Sequence, residues 1–192
     1  MEKNQIRMIE DDKLKSFLKQ TNLLYGEKLY LNRKKIKRNI ELILVSEYPN
    51  HNLLTNEVYN IKYDKLLKKI VKSIGMKINH NTILFTVLEK NPEIVRSPLK
   101  KEVDKFKIKL ESFIKSNKPK IILGFGKIVG KSLIDDFVSL DEMRLMKSSF
   151  KGIPVKITHD PINVLKNTDL KIPLWNDLKL VRDILTSGNS YG

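Results

Sequence analysis

The sequence predicts an α/β fold, a three-layer α/β/α sandwich around a four-stranded, mainly parallel sheet. Short apolar runs rich in β-branched residues, typical of buried parallel strands, occur four times along the chain. Segments with apolar residues at helical spacing alternate with these runs. The alternation favours right-handed crossovers, which place helices on both faces of such a sheet.

The N-terminal segment, about residues 1–40, is predicted to be a helical extension of a single domain covering all 192 residues. An acidic pair precedes Leu14, Phe17 and Leu18, whose spacing predicts a helix. The first twelve residues are polar and charged, and no apolar run reaches membrane-spanning length. We therefore expect a cytoplasmic protein without a signal peptide or a membrane partner, and we expect a monomer.

The four strands are predicted at residues 40–45, 82–86, 120–123 and 154–158. A helix between the first two strands ends near Gly75, which can adopt a left-handed C-terminal conformation. The next helix is predicted to begin at residues 97–98, where serine supplies a cap and proline a preset first turn. A third helix follows the turn at residues 124–126, and a last helix begins at Pro173 after a loop from 159 to 172.

The carboxyl ends of these strands are the predicted functional edge, because ligands of parallel α/β sheets bind there. The segments that begin at Ser46, Thr86, Gly124 and His159 follow the four strands. Functional side chains are therefore expected in these segments.

The charge balance indicates a polyanionic partner. The chain has 37 Lys and Arg against 22 Asp and Glu, a formal net charge of +15. Nucleic acid or an acidic membrane surface fits this excess, and a solvated lysine-rich surface is the alternative. The chain has no cysteine, which excludes a disulfide framework, a thiolate nucleophile and a cysteine-held metal site. His51, His80 and His159 lack metal-ligand spacing, so no metal or other cofactor is predicted.

Four segments match the motifs of a known family in order. Residues 45–50, Val-Ser-Glu-Tyr-Pro-Asn, look like its Gly-Glu-Ala-Pro-Gly loop, and residues 86–98 resemble its Thr-Asn-x-x-Lys-Cys-Arg-Pro-Pro stretch. Residues 118–126 are similar to its Pro-Lys-x-Ile-x-x-Leu-Gly strand and turn. Residues 155–178 are similar to its Thr-Tyr-His-Pro loop and Trp-x-Asp-Leu helix. From about residue 42 to 185 the chain therefore resembles the family 4 uracil-DNA glycosylases.

The resemblance implies a DNA-binding glycosylase-like protein that flips a base out of the duplex and hydrolyses its N-glycosidic bond. The sugar becomes cationic and the base leaves as an anion, so a carboxylate near the sugar and a donor near the base are expected. Glu47 matches the loop acid that would position a water or support the sugar cation. Asp160 and His159 match the motif that forms the opposite wall of the family's site. There they could form a carboxylate–imidazole pair in which one of the two acts as the general base. The alternatives are a surface acid for Glu47 and, for Asp160, a helix cap on the amides of Asn163 or Val164.

The predicted base pocket consists of Tyr48, Asn60 and Val87. Val87 stands where the family has an asparagine that reads the uracil edge, and Asn60 where it has a stacking aromatic residue. Asp160 takes the position of the family's histidine. We therefore expect a damaged or modified base other than uracil as the substrate. The family's cluster cysteines are missing as well, which excludes an iron–sulfur cluster.

DNA contacts are predicted in two segments. In the loop at 162–167, Leu165 would be an apolar wedge and Lys166 a phosphate contact, with Asn163 beside them. The glycine turn, Gly124 and Gly126, and the adjacent Lys127 would offer amides and a cation to phosphate at a helix N-terminus. The alternatives are a leucine packed beneath the loop and a tight strand-to-helix turn.

Two other functions are compatible with the sequence. The substitutions at Val87 and Asp160 would also be expected in a catalytically inactive DNA-binding module on the same scaffold. A small-molecule or nucleotide-binding α/β protein, in which the charge is incidental, is the third possibility.

Overall fold

The structure is a computed structural model of the 192-residue chain, and it describes residues 39–49, 61–78, 81–89, 96–134 and 138–187. The chain divides into two units, Met1–Lys37 and Arg38–Gly192. All described residues belong to the second unit. The predicted N-terminal helix and the predicted pocket residue Asn60 lie outside the described residues.

A five-stranded mixed, mainly parallel sheet forms the centre of the second unit. Its strands are β1 (Leu42–Ser46), β2 (Thr82–Thr86), β3 (Ile121–Phe125), β4 (Ser148–Phe150) and β5 (Ile153–Thr158), in the order β2-β1-β3-β5-β4. β1, β2, β3 and β5 are parallel neighbours, whereas β4 pairs antiparallel with β5 at the sheet edge. The four predicted strands are confirmed.

The predicted strand count of four is wrong because β4 adds a fifth strand. β4 and β5 are joined by Lys151 and Gly152, both in the left-handed region with φ of 51° and 79°. Two consecutive left-handed residues form the tight turn that matches the twist of an antiparallel hairpin. The three-residue length of β4 left little apolar alternation to identify it from the sequence.

Helices connect the strands and follow the last one. They are α1 (Ile61–Ser73), α2 (Lys100–Asn117), α3 (Gly126–Ile134), α4 (Leu140–Leu145), α5 (Pro161–Lys166) and α6 (Lys171–Ser187), with a 3-10 turn at Thr168–Leu170. Gly75 follows α1 with φ of 80°, as predicted for its C-terminal end. Among the described residues, no helix is long and apolar enough to cross a membrane.

Apolar residues of the strands feed two separate cores, one on each face of the sheet. Leu42 and Leu44 of β1 face the first core, which contains apolar residues of α1 and α6. Ile43 and Val45 alternate to the opposite face and pack in the second core with residues of α2, α3 and α4. Both faces of the sheet are thus covered by helices, which leaves the strand ends for a site.

Two predicted helix starts are shifted. α2 begins at Lys100 and not at Ser97, because the carboxylate of Glu102 accepts a hydrogen bond from the Leu99 amide at 2.8 Å and caps the helix there. α6 begins at Lys171, two residues before Pro173. A proline is tolerated there because the first-turn amides have no intrahelical acceptor.

The predicted loop at 159–172 is instead largely helical. Asp160 is the N-cap of α5 and Pro161 is its first residue, a pair that signals a helix start in the sequence. A second signal that was missed is the capping box of Ser139 and Glu142, which begins α4. Both helices have six residues, too few for a clear apolar period.

The strand order identifies where a ligand can enter. The chain passes from β1 to β2 on one side and then to β3 on the other side of β1. Connections that leave neighbouring strands in opposite directions open a crevice at the carboxyl ends of those strands. This crevice lies where the residues after β1 and β3 begin.

Candidate functional site

A small hollow lies at the carboxyl end of β1. It is lined by Ser46, Glu47, Tyr48, Tyr63, Asp160 and Ile162. Three of these residues end or follow β1, one belongs to α1, and two lie at the start of α5. Its volume of about 10 Å³ has room for roughly one water molecule. The hollow therefore joins two of the segments that the sequence predicted to be functional.

Two carboxylates line this hollow, and the charge of one affects the pKa of the other. Burial raises the pKa of Glu47 above its ordinary value, and the negative charge of Asp160 raises it further. The backbone carbonyl of Glu47 accepts a hydrogen bond from the Leu88 amide at 2.8 Å, which ties the loop after β1 to the residues after β2. The structure thus brings together the two acids that the sequence placed on opposite walls.

Asp160 caps α5 and also lines the hollow. Its Oδ1 accepts a hydrogen bond from the Ile162 amide at 2.7 Å, so the helix-capping interpretation is confirmed, although at Ile162 and not at Asn163 or Val164. Its side chain also lines the hollow. Burial raises its pKa to about 6, against the smaller opposing effects of the Ile162 amide and the Lys166 charge. A carboxyl group with this pKa can accept and release a proton near neutral pH.

Two tyrosines complete the walls. Burial raises the pKa of Tyr48, and the charges of Asp160 and Glu47 raise it further. Burial also raises the pKa of Tyr63 strongly, with a contribution from Asp160 and an opposing hydrogen bond with Ser46. Both phenols are therefore protonated at neutral pH and can act as hydrogen-bond donors. Tyr63, Ser46 and Ile162 were not predicted as individual site residues, although Ser46 and Ile162 belong to segments that were predicted to be functional.

His159 does not share the surroundings of Asp160. Burial lowers its pKa, as does the charge of Arg144, while Asp141 and Asp177 have the opposite effect. These three residues belong to α4 and α6. Its imidazole is thus neutral near pH 7, and its charged neighbours differ from those of the hollow. The predicted carboxylate–imidazole pair is not among the contacts that the structure describes.

A buried ion-pair network holds the strand that leads to the site. Asp177 of α6 is 4% exposed and accepts from Thr158 Oγ1 at 2.7 Å and Arg144 Nε at 2.8 Å. Lys156 Nζ lies 3.1 Å from the other carboxylate oxygen of Asp177 and also donates a hydrogen bond to the Arg144 carbonyl. Thr158 ends β5 two residues before Asp160. The network therefore anchors the end of β5, two residues before Asp160, to α4 and α6.

The sequence offered a signal for this network. Asp177 interrupts the apolar stripe of α6 between Leu174 and Leu178 and is buried with them. A charged residue on the apolar face of a helix needs a buried partner. No role was predicted for Asp177.

Two predicted contact residues are packed in the second core. Val87 is buried there and does not line the hollow. Gly124 lies inside β3, where an added Cβ would come within 2.7 Å of Ile157 Cδ1 and 2.9 Å of Val129 Cγ1. Glycine is thus required at 124 by strand and helix packing.

Gly126 is closer to the site. It follows β3 directly, begins α3 with φ of 87°, and an added Cβ would lie 3.4 Å from the Asp160 Cβ. The alternative of a tight strand-to-helix turn is therefore confirmed at residues 124–126. Lys127 is exposed in the first turn of α3, directly after Gly126.

The predicted wedge segment is the exposed side of α5. Val164 is the residue packed beneath it, whereas Leu165 is 42% exposed. Asn163 and Lys166 are exposed as well. The side chains predicted to enter DNA therefore point away from the core, and the charge of Lys166 still reaches Asp160. Among the described residues, no group of three or more acids or histidines could hold a metal ion.

Comparison with known proteins gives a partial likeness. No family model matches the chain. A protein of Borreliella burgdorferi described as uncharacterised is 33% identical to it over 75 residues, which are 39% of this chain and 37% of that protein. The match thus covers well under two thirds of the relative's length. Its description names no activity, so the function is inferred from the geometry of the site.

Proposed function

We propose that this protein is a DNA-binding glycosylase of the uracil-DNA glycosylase type that flips out and excises a damaged or modified base. The observation that carries the proposal is the pair of half-buried carboxylates, Glu47 and Asp160, on one hollow at the carboxyl edge of the sheet. The strand order, the resemblance of the segments around this edge and the net charge of +15 support it.

The hollow suits the attacking water and not the base. Its volume of about 10 Å³ accommodates a single water, whereas a flipped nucleobase is several times larger. The proposal therefore places the water between the two carboxylates and the deoxyribose across the mouth of the hollow. Two negative charges at this place also stabilise the cationic sugar of an oxocarbenium-like transition state.

The reaction follows from these positions. The bond between C1′ and the base nitrogen breaks with its electron pair moving to the base. The water adds to C1′ and transfers a proton to Asp160, whose pKa of about 6 leaves it mostly ionised at neutral pH. The departing base takes up a proton from solvent to become neutral, and Asp160 afterwards releases its proton to solvent. Atoms and charge balance without a cofactor.

A donor for the departing base is available in Tyr48. Its phenol remains protonated because burial and two neighbouring carboxylates raise its pKa. A neutral phenol donates a hydrogen bond to developing negative charge on the base. The family's histidine has no equivalent here, since His159 is neutral and has Arg144, Asp141 and Asp177 as its charged neighbours.

Base release tests the proposal. The full chain is incubated with duplexes that carry uracil or one of several modified bases, and abasic sites are then cleaved with alkali. We expect strand breaks on one modified base, with the rate reduced at least 100-fold in Glu47→Gln and Asp160→Asn. Glu111→Gln is the matched control, because Glu111 pairs with Lys115 and Lys151 away from the hollow. Unchanged rates in both site variants would contradict the proposal.

DNA binding is measured separately. If about six phosphates are contacted, the affinity falls with salt at a log–log slope of roughly −5. Salt-dependent binding without release of any base would favour the catalytically inactive DNA-binding module. The capping role of Asp160 is the observation that favours this alternative, since a cap requires no chemistry. An affinity that does not change with salt would contradict DNA binding, and with it both the glycosylase and the inactive DNA-binding module.

A further inference from the structure

The outer face of α6 carries two large apolar side chains in its first turns. Ile172 is 72% exposed and Trp175, the only tryptophan of the chain, is 43% exposed. They are three residues apart and so lie on one side of the helix. The core-facing side is filled by residues 174, 178 and 181. The exposed pair is therefore not part of the apolar stripe that packs α6 against the core.

The direction of α6 places this pair at the functional edge. Asp177 contacts Thr158 at the carboxyl end of β5, and the carbonyl of Leu185 accepts from Lys120, which precedes β3, at 3.2 Å. The helix thus runs from the carboxyl edge of the sheet toward its amino edge. With a rise of about 1.5 Å per residue, Trp175 lies about 3 Å and Ile172 about 7.5 Å beyond Asp177 on the side of the hollow.

Cations surround the exposed indole. Lys171 and Lys179 are exposed on α6, one turn before and one turn after Trp175. Lys166 is exposed at the end of α5, beside Leu165. The acid exposed in this stretch is Asp169, so the balance is positive. An aromatic ring flanked by lysines is the arrangement with which proteins bind single-stranded nucleic acid, by stacking bases and holding phosphates.

We propose that Trp175 and Ile172, with Lys171 and Lys179, form a stacking platform for unpaired bases of single-stranded DNA. The inference rests on the proposed function for the choice of DNA as the partner. The platform is separate from the hollow, since neither Trp175 nor Ile172 lines it. It would hold bases next to the extruded nucleotide, so the protein prefers single-stranded or locally opened DNA over a closed duplex.

The single tryptophan provides a direct measurement. The full chain is titrated with a thymidine oligomer of about 12 nucleotides while tryptophan emission is followed, and dye-labelled oligomer anisotropy gives the affinity in parallel. We expect the emission to be quenched at the concentration at which anisotropy rises. Trp175→Ala should weaken binding about ten-fold, and Trp175→Phe, which keeps a ring, about two-fold or less.

Leu180→Ala is the matched control. Leu180 has the same exposed fraction of 43% on the same helix, but it lies about 7.5 Å further from the functional edge. Its substitution should leave the affinity unchanged. Circular dichroism of each variant checks that the helical content of the protein is unchanged.

The outcomes separate this inference from the proposed function. If anisotropy reports DNA binding while the emission stays constant and Trp175→Ala binds as tightly as the wild type, the platform is refuted and the glycosylase proposal stands. If Trp175→Ala alters only self-association in sedimentation, the surface is a protein interface and the platform is likewise refuted. If quenching and the Trp175→Ala defect are found without base excision, the platform stands and the glycosylase proposal fails.

Discussion

Two aspartates near the end of β5 lie in opposite electrostatic environments. Asp177 is almost fully buried, and its carboxylate has Arg144, Lys156 and Thr158 as partners. Asp160 accepts one hydrogen bond among the described residues, from the Ile162 amide, and has a second carboxylate as a neighbour. A buried charge with matched partners holds structure together. A carboxylate that loses solvent without such partners favours its protonated form, which is useful in a site that moves protons.

The largest effect is expected from removing the charge of the paired aspartate. Asp177→Asn leaves Lys156 in a buried site without its carboxylate partner and leaves Arg144 paired with the exposed Asp141, which should lower the free energy of unfolding by about 3–5 kcal/mol. Urea denaturation at pH 7 measures this change. Asp141→Asn is the control, because Asp141 also pairs with Arg144, at 3.1 Å, but is exposed and should cost less than about 1 kcal/mol.

The unpaired aspartate should respond in the opposite direction. Asp160→Asn keeps the helix cap, because asparagine caps as well as aspartate, and removes a charge that burial disfavours. We expect the free energy of unfolding at pH 7 to rise by about 1–3 kcal/mol while base excision is lost. A large destabilisation would show that the charge of Asp160 stabilises the fold as that of Asp177 does, and would contradict the proposed difference between the two aspartates.

The pH dependence of the same variant sharpens this test. The pKa of Asp160 is raised from 3.8 to about 6 in the folded protein, so the folded state holds its proton more tightly than the unfolded chain does. The stabilising contribution of this proton is fully present below about pH 4 and is lost as the pH rises through about 6. The gap between Asp160→Asn and the wild type should therefore close on acidification from pH 7 to 4. A constant gap would contradict the raised pKa.

A smaller effect is expected from the hydroxyl of Thr158, which bonds to Asp177 and lies two residues before Asp160. Thr158→Val keeps the shape of the side chain but removes the hydrogen bond to Asp177, and it should lower the free energy of unfolding by about 1 kcal/mol. Thr186→Val is the control, since its exposed hydroxyl bonds only to carbonyls of its own helix. Equal effects at the two positions would show that the network adds nothing beyond an ordinary helix contact.

The smallest effect concerns the cation near Asp160. Lys166 lowers the pKa of Asp160 from an exposed position, so Lys166→Gln should raise that pKa slightly. NMR titration of the carboxyl carbon measures the shift, with Lys131→Gln as a control on α3. A downward shift would contradict the expected sign.

Parts of the site could be predicted and others could not. Glu47 and Asp160 follow apolar strands, and the edge rule for parallel sheets placed both of them at one end. Val87 follows β2 and Gly124 is the last residue but one of β3, yet both positions face a core. Successive strand residues alternate between the two faces of a sheet, and no motif in the sequence shows which face a given residue takes. The short α4, α5 and β4 were missed because six or three residues are too few for a periodic apolar signal.

The sequence by itself determined the alternation of strands and helices, the cysteine-free chemistry and the basic charge, since each depends on residues near one another in the chain or on composition alone. Only the tertiary structure decided which charges meet. Arg144, Lys156 and Asp177 are 12 and 21 residues apart along the chain, and their pairing depends on how α4, β5 and α6 pack. The contrast between a neutralised and an unneutralised aspartate is a property of that packing, because a pKa responds to neighbours in space and not in sequence.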